Sequence, residues 1–327
     1  MKLNVLGNKA YLCRLKKDFR RPLSCKGRLK FWGCYEIHFT GRIVPAAAHR
    51  ADCACRCVGH LFLGGGRMSI IVDNLTVSYR SRPAVHHVSA EFADQSMWAV
   101  FGPNGAGKST LLRVLAALNP AYEGDVSLDG KDIRKIGRKA LAKKLAILPQ
   151  GLAAPHDLTV EALVDYGRYP YRSWRSMGRS KEDREAVSWA LAETRLEEMR
   201  TRQVMSLSGG ERQRAWIAMA LARQPEFLLL DEPTTYLDIA HQLEVMEIIR
   251  RLNKNHAMTV VMVLHDINHA LQYADEIAVI KDRHIFSKGV PQEVLTVAML
   301  AEVFGVRADI FTNSQGAQVL SPVSLVR

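Results

Sequence analysis

Three short stretches carry residues whose types and spacing suit the handling of phosphate. The first, Gly102-Pro103-Asn104-Gly105-Ala106-Gly107-Lys108-Ser109-Thr110, satisfies the pattern G-x-x-x-x-G-K-[ST]. Its glycines let backbone amides approach an anion closely, Lys108 supplies a cation, and the Ser109 hydroxyl is placed to ligate Mg²⁺. The second, Leu207-Ser208-Gly209-Gly210-Glu211-Arg212-Gln213, precedes Arg214 and an apolar run over residues 215–222. A helix starting there aims its positive dipole end at an anion, although by themselves these residues also read as a Ser N-cap with a Gly-Gly loop. The third, Phe227-Leu228-Leu229-Leu230-Asp231-Glu232, is an apolar strand ending in two carboxylates. Asp231 is placed to hold Mg²⁺ and Glu232 to polarise an attacking water. A further apolar strand, residues 259–264, ends in His265-Asp266. A lone histidine at a strand end is usually structural, but beside a nucleotide it can sense the terminal phosphate.

The elements that must position these groups follow from the flanking pattern. Residues 98–101 form a short buried strand before the glycine loop, and residues 111–118 after it have apolar positions at helical spacing. Strand, loop and helix in that order predict an α/β fold whose parallel strands gather ligands at their carboxyl ends. Upstream, residues 70–79 and 85–92 read as strands joined by a turn carrying Arg80, Arg82 and Pro83. Residues 126–128 with Asp129-Gly130 give a strand and turn, and residues 133–144 a basic helix. A mostly helical segment then runs over about 151–205, with helices at 158–166 and 181–196. Between them, Gly167-Arg168-Tyr169-Pro170-Tyr171-Arg172-Ser173-Trp174 reads as an exposed loop. Residues 241–252 predict an amphipathic helix, 277–280 and 284–288 late strands, and Pro291 opens a helix to about residue 304 with Glu293 in its first turn. Residues 308–327 read as a short strand and tail.

Residues 68–327 resemble the ABC transporter ATPases. The resemblance is carried by Tyr79, the Gly102 to Thr110 loop, Gln150 after Ile147-Leu148-Pro149, the Leu207 to Gln213 signature, Asp231-Glu232, Leu237-Asp238 and His265. It implies a P-loop NTPase nucleotide-binding domain with an antiparallel β subdomain and a helical subdomain at about 151–205. It also implies that Tyr79 stacks adenine, that Ser109, Gln150 and Asp231 serve Mg²⁺, and that Glu232, His265 and Gln150 are catalytic. In such a head-to-tail homodimer, ATP on the Lys108 loop of one subunit is capped by Ser208, Gly209 and Gly210 of the other, with Asp238 at the same interface.

Two further similarities narrow the family. The Gly167-Arg168-Tyr169-Pro170 stretch and Thr234-Thr235-Tyr236-Leu237-Asp238-Ile239 are similar to those of importers of ferric siderophores, haem and cobalamin. That subfamily implies a separate integral-membrane permease, whose coupling helix is received by the helical segment, and, indirectly, a substrate-binding protein. It places the chain peripherally at the cytoplasmic face of the inner membrane, with ferric siderophore as the first-choice cargo. No stretch of 18 or more apolar residues is present to cross a bilayer. A soluble ABC ATPase acting on nucleic acid is the rival reading. Paired cassettes or a coiled-coil insert would mark it, neither is seen, and no nucleic-acid partner is expected.

Residues 1–67 differ from the rest. They hold fourteen Lys and Arg against Asp18, Glu36 and Asp52, so +11 of the chain's +12 lies here. All six cysteines, Cys13, Cys25, Cys34, Cys53, Cys55 and Cys57, also fall in this stretch. The C-x-C-x-C run is not the spacing of common zinc sites, and no apolar core follows the basic start to make a secretory signal. The reading adopted is a mispredicted start or a disordered extension, with Met68 opening the cassette.

Overall fold

Runs such as Phe227–Asp231 and Thr259–Val263 are buried at every position. A strand can be apolar at each residue only where both faces of its sheet are covered, and this one requirement explains the architecture. The computed structural model describes residues 28–30, 36–38, 69–80, 82–152, 154–172 and 178–326. It divides into two units, Met1–Gly65 and Gly66–Arg327. In the first, β1 (Arg28–Lys30) pairs antiparallel with β2 (Glu36–His38). The six cysteines, Met68 and Trp174 lie outside the described residues.

In the second unit, β3 (Ile70–Tyr79), β4 (Arg82–Phe92), β6 (Glu123–Leu128) and β7 (Lys131–Asp132) form a four-stranded antiparallel sheet in the order β4-β3-β6-β7. The central sheet has the order β12-β11-β5-β10-β9-β8, from β5 (Met97–Phe101), β8 (Leu145–Leu148), β9 (Phe227–Asp231), β10 (Thr259–Val263), β11 (Glu276–Lys281) and β12 (His284–Gly289). All its pairings are parallel except β11 with β12.

Side chains alternate between two cores. Met97, Ala99, Leu228, Leu230, Val260 and Met262 face one, Trp98, Val100, Phe227, Leu229, Val261 and Val263 the other. The first core is covered by α3 (Val160–Tyr166), α4 (Lys181–Glu193), α5 (Gly209–Leu221), α6 (Ile239–His256) and α7 (Ile267–Tyr273). The second is filled by α1 (Lys108–Leu115) and by Ile70, Val72, Val88 and Phe92 of the antiparallel sheet.

Several sequence expectations need correction. Arg82 and Pro83 belong to β4 and not to a turn. The helix expected over 133–144 is a short 3-10 turn (Ile133–Lys135) and then α2 (Arg138–Lys144), because Ile136 is extended and Gly137 starts a new helix. The helix expected from Pro291 to about 304 is likewise two, α8 (Pro291–Val294) and α9 (Val297–Phe304). The Thr296 hydroxyl accepts from Met299 N at 3.1 Å and starts the second. The tail is a hairpin, β13 (Val306–Thr312) with β14 (Gln318–Leu325).

The stretch expected as an exposed loop is partly buried. Arg168 is 4% exposed, donates to Asp183 Oδ1 at 2.8 Å and to Ala222 O at 2.9 Å, and lies over the Tyr171 ring. Tyr171 OH donates to Arg223 O at 2.8 Å. Among the described residues of this stretch, Tyr169 alone keeps the expected exposure, at 74%.

Candidate nucleotide site

Because β5, β10, β9 and β8 are adjacent and parallel, their carboxyl ends share one edge of the sheet. The residues that follow those ends are the glycine loop, His265, Glu232 and Gln150, brought together from four distant parts of the chain. The loop itself demands its glycines. A β-carbon at Gly102, where φ is +148°, would fall on the Ile280 carbonyl oxygen, and one at Gly107, at φ +106°, on that of Ala84. Asn104 and Gly105 are exposed, whereas Lys108 is 5% exposed at the start of α1.

Lys108 Nζ donates to Gly102 O at 2.8 Å and to Pro103 O at 2.9 Å. An ammonium carries three donors, so one remains for an incoming phosphate oxygen. Burial lowers the Lys108 pKa, opposed by the charges of Glu232 and Asp231. Burial likewise raises that of Asp231, opposed by a hydrogen bond from Ser109. Ser109 Oγ donates to Asp231 Oδ1 at 3.0 Å. Two oxygens of this kind, one on a carboxylate strained by desolvation, fit a hard divalent cation.

Glu232 sits one residue beyond β9 with φ +54°, a conformation costly for a residue with a β-carbon. That turn presents its carboxylate to the cleft. Gln150 Nε2 donates to Glu232 Oε2 at 2.6 Å, Thr235 Oγ1 donates to the same oxygen at 3.1 Å, and His265 Nε2 contacts Glu232 Oε1. The cleft has a volume of about 650 Å³ and is lined by Asn104, Gly105, Gln150, Glu232, Thr235 and His265 among others. Thr235 was not singled out from sequence. Its signals there are its place in the Thr234 to Ile239 stretch and a hydroxyl three residues after Glu232, a spacing that a turn converts into a contact.

The other expected site residues stand apart from this lining. Ser208 caps α5: its Oγ accepts from Glu211 N at 3.2 Å, while Ser208 N donates to Glu211 Oε2 at 2.8 Å. The cap uses the hydroxyl oxygen as acceptor and leaves its proton available. Gly209 is exposed and Gly210 buried. Asp238 caps α6, accepting from His241 N at 2.8 Å. Tyr79 is 47% exposed, and its OH accepts from Asn119 Nδ2 at 3.1 Å. Ala106 is buried and Thr110 half-buried, both with the loop and α1.

A phosphate loop, a buried lysine and a strand-end carboxylate on a parallel sheet define a nucleotide-hydrolysing P-loop ATPase. The ABC transporter family model matches residues 85–235. The petrobactin import ATP-binding protein FpuC of Bacillus anthracis is 49% identical over 247 residues, 75% of this chain and 90% of the relative. The ferric enterobactin transport ATP-binding protein FepC of Escherichia coli (strain K12) is 40% identical over 241 residues, 74% of this chain and 89% of the relative. The dimeric structure of the bacterial ABC transporter cassette MJ0796 superposes with a TM-score of 0.60 at 29% identity, covering 68% of this chain and 98% of that one. This chain belongs to the ABC transporter ATP-binding family, and it is an ATPase of that family.

Proposed function

We propose that this chain energises uptake of ferric siderophores through a separate integral-membrane permease served by a substrate-binding protein. In this reading it sits peripherally at the cytoplasmic face of the cell membrane and works as a homodimer. Residues 68–327 are its ATPase domain, with a helical subdomain at about 151–205. The observation that carries hydrolysis is the convergence of Gln150, Thr235 and His265 on the Glu232 carboxylate beside the Lys108 loop. The cargo rests on relatives whose names give petrobactin import and ferric enterobactin transport. Among the described residues no helix is long and apolar enough to cross a membrane, in keeping with a separate permease.

Each residue has a part. Tyr79 stacks the adenine, and the amides of residues 102–110 with the free donor of Lys108 hold the phosphates. Ser109, Asp231 and Gln150 would hold Mg²⁺, which would supply neutralisation of the phosphate charge. Glu232 takes a proton from water as the water oxygen bonds to the γ-phosphorus. The bond to the β–γ bridging oxygen then breaks, releasing ADP and phosphate. His265 and Lys108 offset charge on the transferred group. Ser208, Gly209 and Gly210 of a second copy close over the γ-phosphate, and Asp238 lies at that junction.

Uptake of labelled ferric siderophore, haem and cobalamin is measured in iron-starved cells lacking other importers, with wild type or Glu232→Gln. Loss of siderophore uptake alone in the mutant is the expected result. Loss of haem or cobalamin uptake instead reassigns the cargo, and three unchanged uptakes sink the importer reading.

A further inference from the structure

The two glycines of the signature do different work. Gly209 is exposed, and among the described residues a β-carbon there would meet only Leu237 Cδ2, at 3.7 Å. Gly210 is buried against α6. A β-carbon on it would lie 2.6 Å from Nδ1 and 2.7 Å from Cβ of His241, and closer still to Cγ. The second glycine is thus required by the histidine of its own chain, whatever approaches from outside.

His241 is itself held on two sides. Its backbone N–H donates to the Asp238 carboxylate at 2.8 Å. Its Nδ1 lies 3.1 Å from Glu244 Oε2, the oxygen that also pairs with Arg214 on the signature helix α5. Arg214 is 8% exposed. Asp238, His241, Glu244 and Arg214 therefore form one connected path between the first turn of α6 and the first two turns of α5.

We propose that His241 is a positioning residue for the ATPase reaction: its ring, wedged against Gly210, sets where Ser208 and Gly209 stand. The proposal rests on the reading that these residues close over ATP held by a second copy. It also ties Asp238 to the signature within one chain, so that displacement of either moves the other.

The test is a double-mutant cycle in the full-length chain, read as kcat, KM for ATP and melting temperature. With His241 present, Gly210→Ala should lower kcat on the order of a hundredfold, the size of a misplaced group, while ATP affinity of the Lys108 loop is kept. In a His241→Gly background, where the three nearest clashing atoms are gone, the same Gly210→Ala change should cost about tenfold less in kcat than it does with His241 present. In a His241→Ala background the remaining Cβ should leave an intermediate cost, a gradation that general loss of fold does not produce. Should Gly210→Ala fail to fold alone, recovery of both melting temperature and turnover in the Gly210→Ala/His241→Gly chain to the level of His241→Gly alone, itself slower than wild type, is the supporting outcome. Ser208→Ala, measured alongside, separates the two levels of the argument. If Ser208→Ala loses turnover but Gly210→Ala costs as much with Gly at 241 as with His, the His241 proposal is overturned alone. If Ser208→Ala turns over like wild type, the signature reading falls and the His241 proposal with it.

Discussion

At the scale of single residues, the site holds groups in states that water would not favour. Burial lifts the Asp231 pKa above that of an unfolded aspartate, so the folded chain holds that proton more tightly. The resulting stability is complete below the unfolded value and is lost as pH rises through the folded one. Without Mg²⁺, Asp231→Asn should therefore melt higher than wild type at neutral pH, with the gap closing toward the ordinary aspartate value of 3.8. Melting curves across pH check this, and a constant gap would remove Asp231 as its source. Turnover should be lost in the same variant, the usual conflict between an active site and stability. Thr235 contributes one of the two hydrogen bonds to Glu232 Oε2. Thr235→Val should lower kcat roughly fivefold, the worth of one hydrogen bond, with KM for ATP nearly unchanged and Thr235→Ser restoring the rate. A fall that Ser does not reverse would point to packing instead.

At the scale of elements, the Arg168–Asp183 pair joins the helical segment to itself and to the end of α5. Both side chains are under 10% exposed, at 4% and 7%, and Asp183 also closes the capping box of α4 with Ser180. Arg168→Met leaves a buried carboxylate uncompensated and should cost about 3–5 kcal/mol, or roughly 10 °C in melting temperature. Adding Asp183→Asn should return part of that loss, and no return would assign it to the Ala222 bond. This pair was not legible from sequence, since a charged, aromatic, proline-broken stretch has the composition of a surface loop. Strands β5, β9, β10 and β11 of the central sheet were legible because burial on both faces leaves an unbroken apolar run. The strand Leu145–Leu148 escaped notice as an element although Gln150 at its end did not. Breaks at Gly137 and Thr296 were invisible to apolar spacing, which continues in phase across a cap. Within the site, motifs named the residues and the Ser208 N-cap was legible beside them, but not that Asp238 is also a helix cap nor that Gly210 answers to His241.

At the scale of the molecule, the cleft around Glu232 and the signature lie on different parts of the chain. Members of this family form dimeric cassettes, as in the dimeric MJ0796 structure. Glu232→Gln should bind ATP without turning it over and so accumulate as a closed dimer. Light scattering after size exclusion should show twice the monomer mass with ATP and Mg²⁺ and monomer without. A variant that stays monomeric under both conditions contradicts the shared-site arrangement.

The proposed supply of Ser208, Gly209 and Gly210 by a second copy also carries an expectation for how activity depends on the amount of protein. A chain that must borrow part of its site from a copy of itself is a second-order catalyst when dilute. Specific activity of the free ATPase should rise in proportion to its own concentration before levelling off. Under the proposed function, a permease holding two copies side by side would remove that dependence, so an untethered pool would idle while membrane-held pairs turned over ATP.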